Sequence, residues 1–316
     1  VSRLCAVMTQ GCLKIMDYET ISVKPLTAVI GAEIGGVNIS QPLSNQTFTE
    51  VHDALMLYQV VFFRDQHMSL EQHKTFGRQF GELHVHPSAP NLEGHPEILK
   101  IHADENSERV AGHGWHSDVS CDTEPPMGSI LYLTDTPEIG GDTMFSSMYA
   151  AYEALSPAMK VFLEGLSAEH ASAHLYHRQG FQPREDLRDG EFPHAIHPMI
   201  RTHPVTRRKA LYVNSGFTRR IVGLERKESE TLLEFLFDHV RTPEFHVRFA
   251  WEDNSVAFWD NRCTQHHALW DYFPQVRSGF RVTIRGDKPL YSAQDDSDAR
   301  SGSALRLSGY GLKSRP

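Results

Sequence analysis

Three side chains in this sequence are of the types that hold a non-haem iron atom. His116 and Asp118 are separated by one residue, and His266 follows much later in the chain. Two imidazoles and one carboxylate bind one face of Fe(II) and leave the opposite positions open for a chelating cosubstrate and oxygen. Alternate side chains of an extended strand point the same way, so His116 and Asp118 are expected to face one cavity while Ser117 points away. This pattern is typical of an oxygenase.

A second His-x-Asp pattern, His102-Ala103-Asp104, competes with this interpretation. It begins a charged stretch, residues 104–109, that is typical of a solvated loop. The block around His116 leads instead through Pro125-Pro126 into the apolar run Ile130–Leu133, which predicts a strand, a bend and a return strand. We therefore expect the metal at the later of the two patterns.

The third ligand is expected from a distant strand. Apolar and polar residues alternate from residue 245 to 251, and the apolar segment Ser255–Trp259 follows after a short polar turn. These predicted strands lead to two adjacent histidines, His266 and His267. Periodicity does not choose between them, and the alternative role for His267 is that of a neighbouring structural histidine.

Two arginines that could bind anions follow the histidine pair. Arg277 and Arg281 are four residues apart, so a regular strand places both on one side, whereas a bulge at Ser278-Gly279 would let them diverge. A guanidinium matches a carboxylate or a similar anion with two parallel hydrogen bonds, and a charge-assisted contact contributes about 1.5–3 kcal/mol. For each arginine taken alone, the alternative is a salt bridge at the rim of the sheet.

The pattern of elements predicts a mainly β protein with flanking helices. Thr47-x-x-Glu50 and Ser69-x-x-Gln72 are capping-box patterns that predict the starts of two helices. Short strands lie between these and later helical segments, a mixture that favours a double-stranded β-helix, or jelly roll, with helices packed outside one sheet. A chain of 316 residues with 40% hydrophobic content can bury one sizeable core, so we predict one domain.

Composition excludes several classes of function. The net charge of −9 argues against a nucleic-acid-binding surface. No apolar run approaches the roughly 20 residues that span a bilayer, so no membrane association is expected. The cysteines, Cys5, Cys12, Cys121 and Cys263, are few and lack paired zinc spacing, which favours a reduced, cytoplasmic setting.

We divide the chain into an N-terminal extension (1–18), one catalytic domain (19–291) and a flexible C-terminal tail (292–316). The segment 171–197 contains two glycines, two prolines and many polar residues, so it is expected to form a lid over the pocket. Its four histidines are expected to be surface or hydrogen-bonded residues rather than a second metal site: His174, His177, His194 and His197.

Several stretches of the sequence, taken in order, resemble the TauD/TfdA family of Fe(II)- and 2-oxoglutarate-dependent dioxygenases, which includes taurine dioxygenases and herbicide-degrading aryloxyacetate enzymes. The resemblance covers nearly all of residues 20–291. The matching stretches are IGAEIGGVNIS (30–40), QVVFFRDQ (59–66), FGELHVHP (80–87), WHSDVS (115–120), GGDTMFSS (140–147), RTHPVTRRKALYVNSGFTRRI (201–221), WDNRCTQHHA (259–268) and RVTIRGDKPLY (281–291).

The resemblance implies a role for each matched residue. It implies Fe(II) ligands at His116, Asp118 and His266, and 2-oxoglutarate contacts at Thr143 and Arg277. It implies substrate contacts at His86, Val119, Phe217 and Arg281, of which His86 and Arg281 grip a sulfonate, the backbone near Val119 assists, and Phe217 forms an aromatic wall. The implied reaction consumes O2 and 2-oxoglutarate, yields succinate and CO2, and hydroxylates the carbon next to the sulfonate. The resulting 1-hydroxysulfonate releases sulfite and an aldehyde.

The sequence departs from the taurine pattern at the amine end of the substrate. Ala89 replaces a tyrosine and Gly112 replaces an asparagine, while Leu175 and Tyr176 stand where a serine and a phenylalanine occur. An ammonium without partners is costly to bury, so we hypothesise a sulfonate that lacks the taurine amine or binds it differently. The alternatives are the same chemistry on an alkyl sulfate ester or an aryloxyalkanoate, and a non-catalytic metal-binding β-barrel protein. By analogy with the family, we also expect a homo-oligomer.

Overall fold

The computed structural model describes residues 18–86, 92–180 and 192–293, together with the backbone of residues 6–9 and 12–15. In this part of the chain the strands are β1 (Ala6–Thr9), β2 (Cys12–Ile15), β3 (Ser22–Pro25), β4 (Ala32–Gly35), β5 (Val60–Phe63), β6 (Ile98–Ala103), β7 (Gly128–Asp135), β8 (Thr143–Ser147), β9 (Ser167–Ala171), β10 (His194–Pro198), β11 (Ile200–Thr202), β12 (Lys209–Leu211), β13 (Thr218–Ile221), β14 (His246–Phe249), β15 (Ser255–Asp260), β16 (Thr264–Ala268) and β17 (Arg277–Ile284). The helices are α1 (Asn45–Tyr58), α2 (Leu70–Arg78), α3 (Met148–Glu153), α4 (Pro157–Glu164), α5 (Ala173–Gln179) and α6 (Arg226–Val240).

Two facing sheets form the centre of the fold. The large sheet has the strand order β3-β4-β5-β15-β7-β17-β6, and the small sheet has the order β14-β8-β16. In β5, Val60 and Phe62 point toward the small sheet. Phe62 stacks on Phe249 of β14 with ring centroids 3.9 Å apart and meets Phe145 of β8 edge-on at 5.6 Å. Aromatic side chains therefore fill the space between the sheets at one end and leave a cavity at the other.

Helices α1 and α2 cover the opposite face of the large sheet. Val61 and Phe63, which alternate with the inward residues of β5, pack there in a cluster with Leu55 of α1 and Phe76 of α2. Strands buried on both faces lose the simple alternation of apolar and polar residues, which is why β5 reads as a continuous apolar run. The predicted fold class, mainly β with flanking helices around a jelly-roll core, is confirmed.

One of the two predicted capping boxes is confirmed and the other is wrong. Ser69 and Gln72 form the expected reciprocal box at the start of α2. Helix α1 begins earlier than predicted, because Ser44 is its N-cap and accepts a hydrogen bond from the Thr47 N–H. The prediction of a Thr47–Glu50 box is therefore wrong. Glu50 instead turns toward the chain before β3, where its carboxylate accepts hydrogen bonds from the backbone N–H groups of residues 19, 20 and 21.

Glu50 makes the stability of the fold depend on pH in the acidic range. Burial by itself would raise the pKa of this carboxyl, but hydrogen bonds from Gln46 and from the backbone and hydroxyl groups around Thr20 lower it to about 2. Because the pKa of Glu50 is lower in the folded protein than its ordinary value near 4.5, the ionised carboxylate stabilises the fold at pH values above 4.5. This contribution is lost as the pH falls toward 2. We expect Glu50→Gln to reduce the free energy of unfolding at pH 7 and to flatten its decline in acid, as measured by urea denaturation at several pH values. The exposed Glu105→Gln is the control, and an equal acid dependence in wild type and Glu50→Gln would contradict this account.

The predicted domain boundaries are not tested by the structure. Residues 294–316 of the predicted tail lie outside the described residues, as does the middle of the predicted lid, 181–191. The described parts of 171–197 include α5 and the start of β10, which pairs with β9. No helix in the described part of the chain is long and apolar enough to cross a membrane.

Candidate active site

A cavity of about 720 Å³ lies at the open end between the two sheets. Its walls come from β6, β7 and β17 of the large sheet, β8 and β16 of the small sheet, helix α5, and the loops around residues 110–119 and 215–219. All nine residues that the resemblance assigns to ligand binding line this one cavity: His86, His116, Asp118, Val119, Thr143, Phe217, His266, Arg277 and Arg281.

His116 and His266 are paired directly across two chain segments. Each backbone N–H donates to the other residue's carbonyl, with N···O distances of 3.1 and 2.9 Å, and the two imidazole centroids are 4.2 Å apart. The Nε2 atoms lie 3.8 Å (His116) and 3.9 Å (His266) from Oδ1 of Asp118. The three donor groups therefore converge, although 150 positions separate the two histidines in the chain.

Asp118 lies in a turn rather than in the predicted strand. Within residues 115–120, only His116 makes a sheet-like bridge, and Val119 has a left-handed φ of 46°. This conformation is strained for a β-branched residue and persists only where surrounding contacts hold it. Asn261 supplies two of those contacts, because its side chain accepts from the Asp118 N–H at 2.7 Å and donates to the Asp118 carbonyl at 2.9 Å. The predicted strand over these residues is therefore wrong, but Ser117 does point away and donates to the Thr264 carbonyl.

The charge states of the three side chains suit a divalent cation. Burial lowers the pKa of both imidazoles, that of His266 well below its usual value, so both rings are neutral near pH 7. Burial by itself would raise the pKa of Asp118, but the positive charge of Arg281 and the hydrogen bond from the Ser129 hydroxyl lower it far below its ordinary range. His116 Nδ1 lies 2.9 Å from the Gly114 carbonyl, which assigns the proton to Nδ1 and leaves the Nε2 lone pair toward Asp118. Two neutral imidazoles and one carboxylate match the donor set for non-haem Fe(II).

A buried arginine stands at one end of the cavity. Arg277, only 2% exposed, donates from Nε to the Gly141 carbonyl at 2.9 Å and from Nη2 to the Thr143 hydroxyl at 3.2 Å. Trp251 Nε1 donates to the same hydroxyl at 3.0 Å. Gly141 has a φ of 70°, a left-handed conformation that glycine adopts without strain, and this turns its carbonyl to the guanidinium. Arg277 is thus a fixed cation with no carboxylate among these partners.

A second arginine lies beside the metal-type cluster. Arg281 Nη1 donates to Asp118 Oδ1 at 2.7 Å. Arg281 and Arg277 face the same cavity, because β17 pairs with β6 without interruption. A register shift does occur between Ser278 and Gly279, as the sequence suggested, but the additional residue is Thr134 on the neighbouring strand β7. The two arginines therefore reach different parts of one cavity from different positions along one strand, without a bulge in β17.

The wall near Arg281 is apolar. Val119, Tyr176 and Phe217 form a small buried cluster, against which Leu175 packs. The ring of His86 lies 5.7 Å from that of Tyr176, and the ring of Phe217 lies 6.5 Å from that of His116. Gly112 has a φ of 81° and brings no side chain to this wall. Ala89, the other departure from the taurine pattern, lies outside the described residues.

Three positioning residues were not identified from the sequence alone. Asn261 holds the backbone of Asp118, Ser129 donates to Asp118 Oδ2 at 2.7 Å, and Trp251 donates to Thr143. Asn261 lies within the stretch WDNRCTQHHA, in which only the histidine was assigned a role. Ser129 and Trp251 carry no local signal, because their partners, Asp118 and Thr143, come from other segments of the chain.

The competing histidine patterns do not join the site. His102 and Asp104 contact each other at 3.4 Å on the exposed side of β6, and His267 packs against His113 with ring centroids 5.1 Å apart. Among the described residues, two clusters have metal-ligand geometry, and the four histidines of the predicted lid belong to neither. The second cluster is His203, Asp260 and Cys263.

The second cluster is occupied by protein contacts. His203 Nδ1 accepts from the backbone N–H groups of residues 205 and 206, and its Nε2 lies 2.9 Å from Asp260 Oδ2. Arg262 also donates to both oxygens of Asp260, at 2.9 and 2.7 Å. Both nitrogens of His203 are therefore engaged, and the cluster stabilises the turn between β15 and β16.

Comparisons with known proteins agree with this geometry. The model of the family described as "Taurine catabolism dioxygenase TauD, TfdA family" matches residues 22–283. An alpha-ketoglutarate-dependent sulfonate dioxygenase of Saccharomyces cerevisiae is 36% identical over 288 residues, which cover 85% of this chain and 68% of the relative. An alkylsulfatase of Acinetobacter baylyi is 34% identical over 277 residues, 85% of this chain and 86% of the relative.

The fold comparison leads to the same group of proteins. The crystal structure of a taurine dioxygenase from Burkholderia xenovorans superposes with a TM-score of 0.76 at 38% sequence identity, covering 88% of this chain and 95% of that one. The family match extends over most of the catalytic domain predicted from the sequence. The chain therefore belongs to the TauD/TfdA family and is a 2-oxoglutarate-dependent dioxygenase.

Proposed function

We propose that this enzyme uses Fe(II), 2-oxoglutarate and O2 to hydroxylate the carbon next to a sulfonate, releasing sulfite and an aldehyde together with succinate and CO2. The observation that carries the proposal is that one cavity is lined both by the cluster of two imidazoles and a carboxylate and by two arginines. One arginine would bind the cosubstrate anion and the other the substrate anion.

His116, Asp118 and His266 would hold the iron, because their donor atoms lie within 4.8 Å of one another and are in the protonation states that metal binding requires. When bound, Fe(II) and 2-oxoglutarate together activate O2 and supply the oxidising power for the C–H bond. The contribution of the protein is to place the reacting groups and to exclude water.

Arg277 and Thr143 bind the distal carboxylate of 2-oxoglutarate in this proposal. The guanidinium is buried, and none of the hydrogen bonds described for it is to a carboxylate, so an incoming carboxylate supplies its missing counter-charge. The indole N–H of Trp251 fixes the Thr143 hydroxyl from behind. This arrangement would set the orientation of the cosubstrate.

Arg281 and His86 hold the sulfonate, with the backbone near Val119 beside them. The apolar side chains of Leu175, Tyr176 and Phe217 line the adjoining wall, where the carbon chain of the substrate would lie. Hydroxylation of the carbon that bears the sulfonate produces a 1-hydroxysulfonate. Its hydroxyl proton is lost as the C–S bond breaks, which gives the aldehyde and sulfite.

The charges of the cavity favour a substrate without an ammonium group. Among the described lining residues the carboxylates are Asp118, which is engaged by Arg281, and Glu93, which is exposed. The same chemistry on an alkyl sulfate ester is the second candidate, because it needs the same anion grip and apolar wall. A hydroxylated sulfate ester collapses to an aldehyde and sulfate, and an aryloxyalkanoate would release a phenol.

A product screen tests this proposal. We expect sulfite release from simple alkanesulfonates to exceed release from taurine at least tenfold in kcat/KM, with one succinate formed per sulfite. Parallel assays for sulfate and phenol with alkyl sulfates and aryloxyalkanoates distinguish the other substrates, and reactions without 2-oxoglutarate are the control. Taurine as the best substrate by a wide margin would contradict the proposed charge selectivity, and no succinate with any anion would contradict the enzymatic function.

The cytoplasmic location and the homo-oligomeric state remain predictions. A reducing compartment is supported by Cys121 and Cys263, which are buried free thiols whose pKa values are raised by burial.

A further inference from the structure

One carboxylate oxygen of Asp118 faces His116 and His266 and also accepts a hydrogen bond from an arginine. Asp118 Oδ1 accepts from Arg281 Nη1 at 2.7 Å, and it is the same atom that lies 3.8 and 3.9 Å from the two Nε2 atoms. Its other oxygen accepts from the Ser129 hydroxyl. A metal ion bound here would therefore share its carboxylate ligand with a guanidinium.

Arg281 also has unused hydrogen-bonding capacity. Its side chain is only 12% exposed, and its Nε is buried with no hydrogen-bond partner among the described residues. A buried donor without a hydrogen bond is energetically costly, so the guanidinium can donate to a second, anionic partner within the cavity. The substrate anion of the proposed function is such a partner.

We propose that Arg281 competes with the metal ion for the carboxylate of Asp118, and that the metal ion and the substrate anion therefore bind cooperatively. This inference rests on the proposed function for the identity of the anion. Without the anion, the positive charge of Arg281 would repel a metal ion, because both would contact the same oxygen of Asp118. An anion on Arg281 offsets that charge and competes with Asp118 for its N–H groups, which frees the carboxylate for the metal.

Linkage makes the effect measurable in both directions. If the anion tightens metal binding by a given factor, the metal must tighten anion binding by the same factor. The wild-type chain, freed of metal, can be titrated with Mn(II) and no 2-oxoglutarate, with free Mn(II) followed by its EPR signal. We expect an alkanesulfonate to tighten Mn(II) binding severalfold, and Mn(II) to tighten sulfonate binding equally in calorimetry.

The variant Arg281→Gln tests the arginine without any substrate. We expect it to bind Mn(II) about tenfold more tightly than wild type in the absence of anions, and to show no further gain when sulfonate is added. Arg285→Gln removes a charge from the residues that follow β17, where the side chain is exposed and lies 3.6 Å from Glu82, and should behave as wild type. Circular dichroism and the melting temperature report whether each variant is folded.

Mn(II) affinity of Arg281→Gln equal to or weaker than that of wild type would overturn the inference. An equal gain in Arg285→Gln would also overturn it, because the effect would then be one of general charge. The reciprocal titrations on wild type keep the inference testable if Arg281→Gln does not fold, and the absence of coupling in them would overturn it. Because no turnover is measured, these outcomes are separate from a failure of the proposed reaction.

Discussion

Asp118→Ala is expected to reduce succinate formation by roughly 10³-fold or more, since the loss of groups that merely orient metal ligands already costs about 10–100-fold. The substitution removes one of the three donor groups and also leaves Arg281 in the cavity without its carboxylate partner. An unpaired cation beside the two histidines disfavours a second cation, so metal affinity should fall with activity. Both quantities can be measured on one preparation, by succinate assay and by Mn(II) titration.

The matched control is Asp104→Ala, which removes the carboxylate of the other His-x-Asp pattern. Asp104 contacts His102 on the exposed side of β6, and the two do not form part of a metal-type cluster. We expect activity and Mn(II) affinity within about twofold of wild type. A large loss in Asp104→Ala, or an Asp118→Ala variant that retains metal and activity, would refute the assignment of the metal site.

Arg277→Met is expected to raise the KM for 2-oxoglutarate by roughly 10- to 100-fold. The size follows from the loss of a charge-assisted contact that contributes about 1.5–3 kcal/mol, at about 1.4 kcal/mol per factor of ten. Methionine fills much of the same space, so the change acts mainly on charge and hydrogen bonding. The measurement is succinate formation against 2-oxoglutarate concentration at saturating substrate, and Mn(II) affinity without 2-oxoglutarate should remain near the wild-type value.

Arg248→Met provides the control for general charge, because Arg248 is 54% exposed and pairs with Asp142 near the same end of the small sheet. Its KM for 2-oxoglutarate should remain near that of wild type. An unchanged KM in Arg277→Met, or an equal rise in Arg248→Met, would contradict the assignment of the 2-oxoglutarate site to Arg277 and Thr143.

The local elements around the site could be predicted because their signals lie within a few residues. Ser69 and Gln72 mark the start of α2, and the apolar run Ile130–Leu133 lies within β7. The strand expected over His116 and Asp118 was wrong because period-two reasoning assumes an unbroken strand. Here a single bridge at His116 is followed by a left-handed residue, Val119, and the conformation depends on Asn261 from far along the chain.

The sequence by itself determined the chemical types: two imidazoles, a carboxylate and two guanidinium groups, in an order that identifies the family. The family resemblance already selected His266 rather than His267. Only the tertiary structure decided that Thr134 is the extra residue opposite β17 and that Arg281 pairs with Asp118. The physical reason is the distance along the chain over which each kind of interaction acts. Propensity and periodicity act over a few residues, whereas these contacts join segments well over a hundred positions apart and exist only once distant strands and loops have packed together.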